Sequence, residues 1–360
     1  MRGADMGEGQ GRRACAASAI VRVVARTMAC LAFVAAAADA APASEAVTPP
    51  PGPRPIQVDV GFYLLNLVSV DERSETFNAD VYLECTWHDP RLAFSATSVG
   101  HATRMYQGQS AADRLQEIWW PDLEFVNTGS PDITNRTLYI HADGTVNYRL
   151  GLSSTFRASL DMKRFPFDEQ DLTIQIQSFE ADRSLVVLHP KQEQLGFDAD
   201  DDYAGLSIQT VDAEAHVVSI AGWNENFSEL SFHIKVVRSP DFYIWTIFVP
   251  LCLVLLLSCT IFFVHIHSFH DRIAIALACF LACIATQFAM SFNLPKISYL
   301  TPIDRLFLVT YACMALGVAV SVVETGLMKE RHALLQTTDR VAAWGIPALY
   351  ALLVAFVVLP

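Results

Sequence analysis

Residues 242–265 read FYIWTIFVPLCLVLLLSCTIFFVH, an unbroken run without Asp, Glu, Lys or Arg. A run of this length crosses a hydrocarbon layer of about 30 Å as a single helix, whose backbone polar groups satisfy one another internally. Ile273–Pro295, Leu306–Val323 and Val341–Pro360 are equally free of those four residue types. Together they predict an all-α, four-helix transmembrane domain over 241–360, with helices at about 242–266, 272–293, 305–327 and 341–359.

Upstream, the chain changes character. Residues 43–240 carry 29 acidic and 14 basic residues, and this stretch supplies the excess behind the net charge of −13. The acidic balance excludes a nucleic-acid partner, and the 52% hydrophobic content excludes a disordered chain. Short alternating runs dominate: Asp80–Trp87, Leu138–His141, Val146–Leu150, Leu172–Gln177 and Leu230–Val237. Asp143-Gly144 between two of them is a strong hairpin signal. About ten strands predict an all-β sandwich over 57–240, interrupted only by a short helix near Ala111–Glu117. Cys85 is the one cysteine of this stretch, so the domain closes no internal disulfide. No CxxC pair or HExxH is present, so no metal or other cofactor is expected. The run Asp198, Asp200, Asp201, Asp202 reads as a solvated acidic loop.

The first forty residues have the layout of an address. Arg2, Arg12, Arg13, Arg22 and Arg26 precede the apolar run Met28–Ala38, and Ala38-Asp39-Ala40 fits a small-x-small cleavage site. This predicts a signal peptide over 1–40, followed by a Pro-rich leader over 41–56. An exported N-terminal domain and four crossings return the C-terminus to the same side. The expected location is the cell (inner) membrane, with both on the periplasmic, extracellular face and lipid around the helices. His265–Arg272 and Lys329–Arg340 are the expected cytoplasmic loops.

In the second apolar run, Ala274, Ala278, Leu281, Ala285, Phe288 and Phe292 recur three or four apart, on one helical stripe. Asp271 stands one turn before it. Spacing alone fits helix packing as well as a pore, and both readings stand at this point.

A family resemblance separates them. Phe165-Pro166-Phe167-Asp168, followed by Glu169-Gln170-Asp171-Leu172-Thr173, resembles the signature loop of the Cys-loop, or pentameric ligand-gated ion channel, superfamily. Ala158 and Leu172 stand where animal members have the bridging cysteines, which is similar to the prokaryotic branch. Trp119-Trp120-Pro121-Asp122, Trp87-His88-Asp89-Pro90-Arg91-Leu92 and Arg238-Ser239-Pro240-Asp241-Phe242-Tyr243, with Pro250 beyond, resemble three further family motifs in order and spacing.

The resemblance implies a homopentameric channel whose pore is lined by the six stripe residues, with Leu281 at the gate. It implies an Asp271 ring that selects permeant cations, with Arg272 turned back into the bundle. It places a small agonist, a cationic amine or else protons, against Tyr82 on one subunit. Phe179 on the next subunit and Trp223 or Phe227 on a closing loop would face it. Asp168 and Arg238, with Asp71 and Glu72 as candidates for the same cluster, would couple this domain to the pore through Lys296 and Tyr299. The stripe departs from the family in having no polar side chain between Ala274 and Phe292. A non-conducting, membrane-anchored sensor of the same fold is therefore the alternative. An enzyme is not expected, because no triad or nucleophile elbow is readable.

Overall fold

The computed structural model describes residues 47–178, 181–198, 205–220, 222, 225–264, 269–292, 297–327 and 332–358. The expected signal peptide, most of the acidic run, Phe179, Trp223 and Lys296 lie outside the described residues. The chain divides into two compact units. Among the described residues the smaller comprises 47–50 with Ala112–Trp120, and within it Arg114 pairs with Glu117 one helical turn on. The larger, Pro51–Ala111 with Pro121–Pro360, holds both sheets and the four long helices.

Ten strands form among the described residues: β1 (Ile56–Asp71), β2 (Thr76–His88), β3 (Thr103–Gln107), β4 (Leu123–Phe125), β5 (Asp132–His141), β6 (Thr145–Arg157), β7 (Glu169–Ser178), β8 (Val186–Phe197), β9 (Leu206–Ile220) and β10 (Glu225–Arg238). A six-stranded sheet runs β3-β5-β6-β2-β1-β8, and a four-stranded sheet runs β4-β7-β10-β9. Alternation produces the sandwich. In β2, Phe77, Ala79, Val81, Leu83 and Cys85 are buried, and in β7 so are Leu172, Ile174 and Ile176. Their neighbours face outward, so one face of each sheet meets the other sheet. Phe62 of β1 and Phe232 of β10 stack across the gap with ring centroids 4.4 Å apart. Gly144 closes the β5–β6 hairpin at φ +88, and a Cβ there would lie 2.6 Å from the Asp89 carbonyl oxygen. Only glycine fits that corner.

Two shorter helices occur between strands along the chain: α1 (Ala96–Val99), a single turn, and α2 (Gln109–Glu117), which contains the expected short helix. Four apolar helices follow. The first, α3, runs Asp241–Phe263, with a π turn at Ile244–Phe248 just before Pro250, whose missing N–H interrupts the ladder there. The others are α4 (Phe269–Ser291), α5 (Pro302–Leu327) and α6 (His332–Val358). Helix α5 starts three residues earlier than expected, because Thr301 and Asp304 form a reciprocal cap. The Thr301 hydroxyl accepts the Asp304 N–H at 3.1 Å, and Asp304 accepts the Thr301 N–H at 2.9 Å, with Pro302 at the first helical position. Helix α6 starts nine residues early. Its polar first turns cannot be told from a loop by hydropathy, and Asp339 within them turns inward.

Candidate functional site

Helix α4 presents the predicted stripe outward. Asp271, Ala274, Ala278, Leu281, Ala285, Phe288 and Phe292 are all exposed on the isolated chain, while Arg272, Ala276, Cys279 and Cys283 are buried against the other helices. Only 17% of the most apolar window of α4 is buried, against 39% for α3 and α5, so α4 leaves the most surface for contacts outside the chain. Leu277, Ala282 and Ile284 flank the stripe and are exposed too. The polar side chains off the stripe are engaged elsewhere. The Gln287 carboxamide oxygen accepts the Tyr311 hydroxyl at 2.8 Å, and Thr286 donates to the Ala282 carbonyl at 2.9 Å.

Arg272 does not pair with Asp271. It is 1% exposed and donates to the Val264 carbonyl at the end of α3, to Glu324 of α5 at 3.0 Å and to Asp339 of α6 at 3.3 Å. One guanidinium thus ties together all four helices, next to Asp271 in the chain. Hydropathy could not identify its partners, although Glu324 is conspicuous as an acid directly after a charge-free run.

At the junction of sandwich and helices, Arg238 of β10 is buried. Its Nε donates to Asp168 at 3.0 Å, and its Nη1 donates to Glu72 at 2.6 Å and to the Tyr243 hydroxyl at 3.4 Å. The guanidinium also lies 5.0 Å from the Phe165 ring centroid. Burial opposes its charge, but Asp168, Tyr243 and Glu72 outweigh burial and raise its pKa above the ordinary value. Asp71 does not join this cluster. Its carboxylate accepts the backbone N–H groups of Arg73 at 2.9 Å and Ser74 at 3.2 Å, so it caps the β1–β2 turn instead. Its lowered pKa has Ser74 as its chief cause. Tyr299 accepts the backbone N–H of Met162 at 3.0 Å, and Arg73 donates to the Phe292 carbonyl at 3.4 Å. Both contacts join the sandwich loops to the segment after α4.

A third region lies on the outer face of the six-stranded sheet, where a cavity of about 620 Å³ is lined by Tyr63, Tyr82, Glu84, Tyr139 and Arg149 among others. Tyr63 and Tyr82 are cross-strand partners, and each also faces a glycine, Gly196 and Gly151 respectively. A Cβ at Gly151 would lie 2.7 Å from the Tyr82 ring, and one at Gly196 would lie 2.8 Å from the Tyr63 ring. The glycines therefore let both rings lie against the sheet. Tyr63 donates to Asp198 at 2.8 Å. Of these residues the sequence reading named only Tyr82, although alternation in β1 gives Tyr63 the same outward face. Phe227, expected on a closing loop, is instead in β10 and 2% exposed.

Glu84 is the charged centre of this cavity. Burial would raise its carboxyl, but hydrogen bonds from Arg149, Gln194 and Asn147 outweigh burial and hold it below the ordinary carboxylate range. A carboxyl depressed in the folded state stabilises above its unfolded pKa, near 4.3, and loses that contribution as pH falls through the folded value. Glu84→Gln should therefore lower the melting temperature most at neutral pH. The gap between variant and parent should close below about pH 4. Melting curves from pH 7 to pH 3 check this; a gap independent of pH would show that the carboxylate charge contributes nothing.

Comparison with known proteins agrees with these parts. Residues 44–240, more than half of the chain, match the family model of the neurotransmitter-gated ion-channel ligand binding domain. A proton-gated ion channel of Gloeobacter violaceus is 29% identical over 268 residues, spanning 74% of this chain and 72% of that protein. Gamma-aminobutyric acid receptor subunit theta of Mus musculus is 27% identical over 266 residues, 72% of this chain and 40% of the subunit. A beta-like subunit of Drosophila melanogaster is 25% identical over 273 residues, 70% of this chain and 53% of the subunit. The chain thus spans about half the length of the animal subunits it matches. These relatives are channels and receptors, not enzymes. With a ligand-binding sandwich followed by four membrane-crossing helices, the chain is a multi-pass membrane protein that belongs to the ligand-gated ion channels of the Cys-loop superfamily.

Proposed function

We propose that five copies of this chain form a cation-selective channel in the inner membrane, with the sandwich and the C-terminus on the periplasmic side. The observation that carries the proposal is the exposed stripe of α4, with Asp271 at one end. Ala274, Ala278, Leu281, Ala285, Phe288 and Phe292 lie on one face that the chain alone leaves uncovered. Five such faces around an axis would make an apolar conduit that closes by dewetting. Five carboxylates at its mouth would concentrate cations.

The tyrosine-lined cavity supports an agonist half-site on one subunit, completed by Phe179 and Trp223 of the next. Arg149 already neutralises Glu84, so the attraction left for a small cationic amine is the faces of Tyr82, Tyr63 and Tyr139. A second reading, opening by protons, is favoured by the Gloeobacter relative, whose name is that of a proton-gated channel. The Asp168–Arg238–Glu72 cluster, with Tyr299 and Lys296 beyond it, would carry motion from the sandwich to the end of α4.

Mass measurement and current recording test the proposal together. The purified protein should have a mass near five protomers, and Asp271→Lys should move the reversal potential toward that of anions or abolish cation current. A monomer in both detergent and nanodiscs would refute the ring. An unchanged reversal potential would remove Asp271 from the ion path. An agonist screen beside an acid step separates the two modes of opening. A pentamer silent to both would favour the non-conducting sensor.

A further inference from the structure

The outer face of the four-stranded sheet gathers a second constellation, away from the tyrosine-lined cavity and the pore stripe. Glu214 and His216 are two apart on β9, so their side chains share a face. His233 reaches the same place from β10, where it stands opposite Asp212, two residue pairs along the ladder from the Glu214–Ser231 pair and so on the same face. One donor atom from each of Glu214, His216 and His233 lies within 4.8 Å of the others. His216 Nε2 and the Glu214 carboxylate are 3.6 Å apart.

The second observation concerns how His233 is held. Its Nδ1 lies 2.9 Å from the Asp171 carboxylate on β7. An ionised carboxylate only accepts, so Nδ1 carries the proton, and in the neutral imidazole the lone pair is on Nε2. Among the described residues, Nε2 is buried and has no hydrogen-bond partner. A carboxylate that fixes one ring nitrogen and leaves the other free is the arrangement by which proteins orient an imidazole toward a metal. The neighbouring charges are accounted for. Asp212 pairs with Lys235 at 3.4 Å, and Glu229 of β10 lies 3.4 Å from the Gln175 side chain.

We propose that Glu214, His216 and His233 form a binding site for a transition-metal dication of the zinc class, with Asp171 as its positioning residue. Two imidazoles and one carboxylate suit zinc better than calcium or magnesium, which take oxygen ligands. With metal–ligand bonds of about 2.0–2.1 Å, tetrahedral donors stand roughly 3.4 Å apart. The three donors must therefore close by at most about 1.4 Å, which the exposed Glu214 and His216 side chains permit by rotation. A water completes the fourth position. The bound ion would pin β9 to β10 and, through Asp171, to β7, and so stiffen the hairpin joined by residues 221–224. Sequence motifs could not reveal this site, because its ligands lie on two strands and meet only through the antiparallel register.

The test uses the tag-free full-length protein in metal-free buffer, titrated with zinc chloride against a chromophoric chelator. One zinc per protomer is expected. His216→Ala with His233→Ala should abolish that binding, and Asp171→Asn should weaken it by about 10–100-fold. Binding of unchanged stoichiometry and affinity in the double variant would overturn the proposal. Should that variant fail to fold, cobalt(II) on the parent decides. The intense visible bands of a tetrahedral cobalt site with nitrogen and oxygen ligands are expected, and a folded parent that shows none and takes up no zinc would overturn the assignment.

Discussion

Leu281→Ser is expected to raise the current that flows without agonist and to lower the agonist or proton concentration needed for opening. The reason lies in what surrounds Leu281. On the isolated chain it is 67% exposed, with Ala278 and Ala285 one turn away on the same face and Phe288 beyond. None of these offers a hydroxyl, and Thr286 and Gln287 bond to protein groups off the stripe. In a five-fold arrangement the closed conduit would hold water poorly at this level, and an agonist must offset that bias by binding the open state more tightly. A serine on each subunit supplies a group to which water can bond. If each lowers the cost of wetting by only about 0.3 kcal/mol, five together shift the closed–open equilibrium about tenfold. Current–voltage families from parent and variant, at rest and across an agonist or pH series, measure this. Resting current and sensitivity both unchanged would place the gate elsewhere on α4.

Arg272→Met should be more damaging still, but to assembly rather than to gating. The guanidinium is buried and compensates two carboxylates, Glu324 at 2% side-chain exposure and Asp339 at 19%, while also serving the Val264 carbonyl. Removing the cation leaves both acids without their countercharge, and that carbonyl without the guanidinium donors, among apolar helices. Breaking a buried ion pair on one side costs about 3–5 kcal/mol, enough to abolish the folded membrane domain in many proteins. Little or no pentamer should survive extraction, as read by size-exclusion profiles of a fluorescent fusion. Arg272→Lys should rescue only in part, because an ammonium cannot present the fork that reaches both acids. The triple change Arg272→Met, Glu324→Gln, Asp339→Asn should recover more than Arg272→Met alone, since no uncompensated charge remains. A single variant that assembles and melts like the parent would show that the cluster is dispensable.

Much of the architecture was legible in the sequence because hydropathy and parity act locally. Four charge-free runs long enough to span a bilayer became four helices, and alternation in β2 and β7 predicted which side chains enter the sandwich. The signature loop around Phe165-Pro166-Phe167-Asp168 and the Arg238 junction lie where their order in the chain implied, and Asp168 and Arg238 meet. Errors arose where an element's end depends on capping or on a distant partner. Thr301 and Asp304 extend α5 backward by a reciprocal cap. The first turns of α6 read as a loop because their polar residues look solvated until Asp339 is seen facing Arg272.

The sequence alone therefore determined the class, a β-sandwich followed by four membrane helices. It also determined which α4 residues share a face, since both follow from periods of two and 3.6 residues that hold along any strand or helix. Beyond the Asp168–Arg238 pair, only the tertiary structure decided which charged groups meet. Strand register placed Tyr63 beside Tyr82 and Glu84 beside Arg149. Chain reversal left Asp71 to its own turn while Glu72, one residue on, reached Arg238. Helix packing chose Glu324 and Asp339 for Arg272, and the ladder between β9 and β10 brought His233 to Glu214 and His216. The physical reason is that burial preference is a property of each residue in its own element. An ion pair or a ligand set depends instead on distances between elements far apart in the chain, and those distances exist only once the elements have packed.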